Sequence, residues 1–116
     1  MKFMLILKSS KDSEAGKMPS EESIAATVKY HQEQAKAGIL VDAAGLYPSS
    51  KGARVRFAAG GKATVIDGPF TESKELVGGF FLLDCGTREQ ALRLAAECPA
   101  AEWATIEVRE LGPCFS

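Results

Sequence analysis

Two stretches of this chain, Phe3–Leu7 (FMLIL) and Val77–Leu83 (VGGFFLL), contain only apolar residues and glycine, with no alternation along them. Runs of this length, bounded by charged residues, read as strands buried on both faces. A strand of that kind cannot sit on a sheet with one face in water, so both faces of the sheet must be covered.

The cover available within the chain follows from its helices. Ser20 is the expected N-cap of the first, with Glu21 and Glu22 in the opening turn where the helix dipole favours acids. Gly38 is the expected stop. Within this helix Ile24, Val28, His31 and Ala35 follow the spacing of one face, which places the one histidine of the sequence in an apolar stripe. Thr87 and Gln90 form a capping box opening a second helix, whose buried stripe is Ala91, Leu94, Ala95 and Cys98, and Pro99 ends it. Lys11–Pro19 reads as a polar loop, residues 42–52 as a turn-rich connection, and Thr105–Arg109 as an edge strand.

Between the two halves lies a hairpin. Arg54 and Arg56 alternate with Val55 and Phe57, Gly60-Gly61 supplies a two-residue turn, and Ala63–Asp67 returns. That turn pairs Val55 with Ile66 and sets Arg54 opposite Asp67 as a charge pair. The predicted order is β-α-β-β-β-α-β: a ferredoxin-like α+β fold in one domain, residues 1–116, with the hairpin inserted between its halves. Two helices cover one face of such a sheet. The least costly cover for the other is a second copy, sheet against sheet, so a homodimer is expected.

Charge and composition exclude several function classes. Fourteen basic and fifteen acidic residues leave a net charge of −1, which gives no electrostatic footprint for nucleic acid. The apolar start before Lys8 is too short for a signal core or membrane span, so a cytoplasmic protein without membrane association is expected. Cys85, Cys98 and Cys114 lack paired spacing and read as free thiols. With one histidine, no metal site is expected, and no cofactor.

The sequence Asp67-Gly68-Pro69-Phe70-Thr71-Glu72-Ser73-Lys74-Glu75 resembles the signature of the DGPF proteins, a branch of the YCII-related family. Met1-Lys2-Phe3-Met4, Ala37-Gly38, Gly45-Leu46-Tyr47-Pro48-Ser49, Gly78-Gly79-Phe80, Cys98-Pro99 and Glu107-Val108-Arg109 extend the resemblance along the chain. It implies a dimeric α+β barrel, an architecture whose relatives hold small molecules between sheet and helices. It also implies a regulatory setting, since genes of such proteins often adjoin those of extracytoplasmic-function sigma factors. YCII-like proteins carry a His-Asp pair. Counting back from Ala37-Gly38, that histidine's position falls near Thr27, about one turn before His31.

Two sets of candidate site residues follow. His31 and Asp67 are the candidate proton-transfer pair, each with an ordinary structural alternative as a bonded core histidine and a turn-closing aspartate. Arg54 and Arg56 are candidates for holding a carboxylate or phosphate. Thr71, as cap of a short turn, is expected to project Glu72, Lys74 and Glu75 beside an inter-subunit cleft, with Phe70 as a buried anchor below. The expected function is therefore a homodimeric barrel binding a small polar ligand, with proton chemistry as a further step. The alternative is a regulatory module associated with a sigma factor.

Overall fold

In the computed structural model of the protein, the described residues are 1–72 and 75–114. Six strands and three helices follow in the order β1 (Lys2–Lys8), α1 (Lys11–Glu14), α2 (Glu21–Lys36), β2 (Leu40–Gly45), β3 (Ala53–Phe57), β4 (Ala63–Asp67), β5 (Val77–Asp84), α3 (Arg88–Glu97) and β6 (Ile106–Glu110). Short 3-10 turns cover Ser49–Lys51 and Pro99–Glu102.

The two apolar segments are the central pair of a four-stranded antiparallel sheet ordered β2-β5-β1-β6. This is the ferredoxin-like arrangement expected. On the helix side Phe3, Leu5 and Leu7 meet Leu83, Phe81 and Gly79 across the ladder, all buried. Ala91, Leu94, Ala95 and Cys98 close this core from α3. Thr87 Oγ1 caps α3 by accepting the Gln90 N–H at 3.1 Å, and Gln90 Oε1 reaches back to the Gly86 N–H. On the opposite face Met4, Ile6, Phe80 and Leu82 are only half-buried.

Four local expectations are corrected. The connection over residues 42–52 contains an edge strand, β2, paired to β5 through an irregular register at Leu40/Asp42. Its Ala- and Gly-rich sequence has little strand propensity, so pairing with β5 determines it. The loop Lys11–Pro19 contains α1, opened by a reciprocal cap in which Ser10 and Ser13 each accept the other's N–H.

Helix α2 is rotated from the expected orientation. Ile24, Val28 and Ala35 are exposed, whereas Ser23, Thr27, Tyr30, His31 and Gln34 turn inward. Tyr30 explains the rotation. Its ring is the largest apolar body on the helix, and its hydroxyl donates to the Leu94 carbonyl at 2.7 Å, which ties α2 to α3. Burying the tyrosine with its hydrogen bond satisfied outweighs burying the smaller Ile/Val row.

The hairpin β3–β4 stands apart as its own two-stranded sheet, and all ten of its residues are exposed. The radius of gyration, 16.0 Å, exceeds the roughly 13 Å of a compact chain of this length, as a projecting arm requires. Its loop has three residues rather than two. Ala58 N–H donates to Lys62 and Gly61 N–H to Ala58, with Gly60 and Gly61 at φ +97° and +83°. The extra residue shifts the ladder by one. Arg54 pairs with Ile66 and Ala53 with Asp67, which puts the Arg54 and Asp67 side chains on opposite faces. The expected charge pair does not form.

Candidate functional site

The signature at residues 67–70 is the root of the hairpin. Gly68 N–H donates to the Gly52 carbonyl at 2.9 Å, and the Phe70 N–H donates to Ser49 Oγ at 3.0 Å. A Cβ on Gly68 would lie 1.8 Å from the Ser49 carbonyl oxygen, so only glycine permits this approach. Phe70 is half-buried, and its ring lies under the Arg54 guanidinium, 3.8 Å from ring centroid to Cζ. Arg54, expected to hold an anion, is thus stacked at the root.

Ser49 joins this root to the body. Its N–H donates to Glu14 Oε2 at 2.9 Å, and its hydroxyl donates to Glu14 Oε1 while accepting from Phe70. One carboxylate of α1 therefore fixes the Pro48–Gly52 loop and, through it, the hairpin. Neither Glu14 nor Ser49 was singled out as a site residue from sequence. The signal was present in part, since Ser49 belongs to the Gly45–Ser49 stretch that carries the family resemblance.

Beside this junction lies a cleft of about 1080 Å³. Its floor is the end of β1 (Leu7, Lys8) with Gly45 and Gly78, and α1 and the start of α2 wall one side. Leu46, Tyr47, Met18 and Trp103 add apolar and aromatic surface. The charged groups on it are Lys8, Asp12, Glu14, Lys17 and Lys51. Several are already engaged: Glu14 by Ser49, Lys51 over the Tyr47 ring at 4.4 Å, and Lys17 near Asp12 at 3.8 Å. Lys8 is less exposed than Lys17, and its ammonium lies 3.9 Å from Glu107, the cross-strand neighbour of Ile6.

The structure does not bring the candidate pair together. His31 packs edge-on against Phe81, with ring centroids 4.7 Å apart, and its Nε2 is buried with no hydrogen-bond partner among the described residues. Burial holds its pKa below the usual histidine value. Asp67 is exposed at the end of β4. Among the described residues, no hydrogen bond or ion pair joins the two, and neither lines the cleft. At the helix position the resemblance marks for a histidine, Thr27 Oγ1 donates to its own helix at Ser23 O, 2.8 Å away.

The remaining candidates lie away from the cleft. Arg56, Thr71, Glu72 and Glu75 are exposed, the Glu75 N–H donates to the Glu72 carbonyl at 2.9 Å, and none of the four lines the cleft. Lys74 lies outside the described residues. Burial raises the Cys85 and Cys98 thiols above the ordinary range, which keeps them protonated and unreactive at neutral pH. Among the described residues no cluster of three or more His, Cys, Asp or Glu could hold a metal ion, and no helix is long and apolar enough to cross a membrane.

A ferredoxin-like α+β unit with an inserted hairpin, rooted on a Gly-Pro-Phe corner beside a cleft, defines the structural class. The YCII-related domain profile matches residues 1–114, and the chain belongs to that family. Over 78 residues it is 41% identical to an uncharacterised protein of Rhizobium meliloti (strain 1021), a match covering 66% of this chain and 62% of that relative. A solved structure of similar fold is the 5-chloro-2-hydroxyhydroquinone dehydrochlorinase TftG of Burkholderia phenoliruptrix AC1100, in complex with 2,5-dihydroxybenzoquinone. The TM-score is 0.56 at 14% identity, over 97% of this chain and 94% of that one, which is a likeness of fold.

Proposed function

We propose that this protein is a homodimeric small-molecule-binding barrel, and that the ligand occupies the cleft between α1, the start of α2 and the ends of β1 and β2. The observation behind this reading is the cleft itself: about 1080 Å³, with aromatic and aliphatic walls and Lys8 at the end of β1. Concave, mostly apolar sites with a few polar groups are where small ligands bind. The wall chemistry suits a compact, flat apolar body carrying an ionised oxygen, with the body against Tyr47 and Trp103 and the oxygen on Lys8. The cyclic dihydroxyquinone bound by TftG belongs to that class, and the shared fold lends it support at that level only.

Proton transfer by His31 and Asp67 is not retained, because His31 faces the core and Asp67 the hairpin. Binding, rather than catalysis by that pair, is the function proposed.

The chain has a single tryptophan, Trp103, and it lines the cleft, so the protein reports on its own site. Titration with small aromatic carboxylates and phenolates is expected to change the tryptophan emission and raise the melting temperature together. Lys8→Ala should weaken that response. A compound that raises the melting temperature but leaves both the emission and the Lys8→Ala affinity unchanged would place the site elsewhere. A broad set with no binder would remove the proposal's support.

A further inference from the structure

The chain leaves two β surfaces open. One is the outer sheet face at Met4, Ile6, Phe80 and Leu82. The other is one face of the hairpin, where Ala53, Val55 and Phe57 lie opposite Asp67, Val65 and Ala63. Val55, Phe57 and Val65 are 64%, 75% and 63% exposed. A two-stranded hairpin with no third layer is marginal in water. Here the root bonds at Gly68 and Phe70 hold only its base, so the five-residue strands need a cover that is always present.

We infer that the β3–β4 hairpin is an arm that closes over a second copy of the chain, laying Val55, Phe57 and Val65 against the partner. The inference rests on the self-association proposed above and is independent of the ligand.

Area argues for the arm. Four strands about 4.8 Å apart and about 21 Å long on average offer a flat footprint of roughly 400 Å² on the open sheet face. Stable interfaces bury about 800 Å² of accessible surface on each partner, and the exposed apolar arm adds area beyond what the sheet face offers. A two-fold pair that exchanges arms gains the arm twice per subunit, once as donor and once as acceptor.

Charge argues for the same occupant. Residues 53–67 carry Arg54, Arg56 and Lys62 against Asp67, a net +2, which leaves the rest of a chain of net charge −1 at −3. Arg54 and Arg56 lie on the face opposite Val55, Phe57 and Val65, so this charge steers a basic arm toward the acidic body of an identical chain rather than lining the contact itself. A second copy is also made wherever the first is, which meets the need for permanent cover.

The test combines sedimentation with hydrogen exchange on the full chain. The wild type is expected to dimerise at micromolar concentration, and the amides of residues 53–67 should gain protection as the dimer forms. Phe57→Asp with Val65→Asp should weaken the dimer at least about tenfold. Melting of the four-stranded body, measured at low concentration, should stay unchanged. A wild type that remains monomeric overturns self-association and the arm together. A dimer that keeps its affinity in the double variant, or whose arm exchanges equally fast at all concentrations, overturns the arm while leaving the dimer and the ligand site standing. Exchange needs no substitution, so it decides the matter even if the variant folds poorly.

Discussion

The four-stranded body and the hairpin are built from similar residues and hold together for different reasons. Leu5 and Leu83 in the body are fully buried, whereas Val55 and Val65 in the hairpin are about two-thirds exposed. In the body, cross-strand hydrogen bonds and a helix layer act on the same side chains. The hairpin has the ladder alone, anchored at its root by Gly68, Phe70 and Ser49. An apolar strand therefore reports how hydrophobic a segment is, and its neighbours decide whether that property stabilises the monomer or waits for a second molecule.

The largest expected contrast comes from trimming one side chain in each region. Leu5→Ala should cost about 2–5 kcal/mol by denaturant melts, the range for a buried leucine leaving a cavity. Val55→Ala, measured below the concentration of self-association, should stay within about 0.5 kcal/mol, as exposed positions do. Equal losses would show that the hairpin is packed in the monomer, and the comparison would fail.

Gly68→Ala sharpens the same contrast at the boundary. The added Cβ must displace the Ser49 carbonyl, at a cost of about 1–3 kcal/mol. The damage should be local: native-state exchange is expected to open residues 53–67 while β1 and β5 keep their protection. Loss of protection across the whole sheet would make the root part of one cooperative unit with the body.

The smallest effect is a dependence on pH confined to the body. Burial lowers the His31 pKa in the folded state, so the unfolded chain takes up a proton first as pH falls. That contribution to stability is complete above the unfolded value near 6.5 and is lost as pH drops below it toward the folded value. Melting temperature should fall from pH 7 to pH 5, with a shallower slope in His31→Gln. An identical slope in the variant would remove His31 as the cause.

Much of the body was legible in the sequence because its signals are local or independent of neighbours. The runs at Phe3–Leu7 and Val77–Leu83, the caps at Ser20 and Thr87 and the stripe from Ala91 to Cys98 each state their role within a few residues. The inserted hairpin was legible for the same reason, from its alternation and paired glycines. The candidate site was far less so. Of the residues singled out, Phe70 and Arg54 pack together at the root of the arm, whereas Asp67 is exposed at the end of β4.

What the sequence by itself determined, then, is the two central strands, the edge strand β6, the hairpin and the two longer helices, and that the sheet has two apolar faces, while β2 and α1 went unread. Tertiary structure decided the rest. The hairpin register turned on one loop residue, and a shift of one reverses every facing, which separated Arg54 from Asp67. The rotation of α2 turned on Tyr30 finding the Leu94 carbonyl, sixty-four residues away, which left Ile24 and Val28 outside. The cleft arose where Glu14 met Ser49, thirty-five residues apart. Contacts at such separations depend on how the finished sheet brings chain segments together, and no local pattern of residue types encodes that.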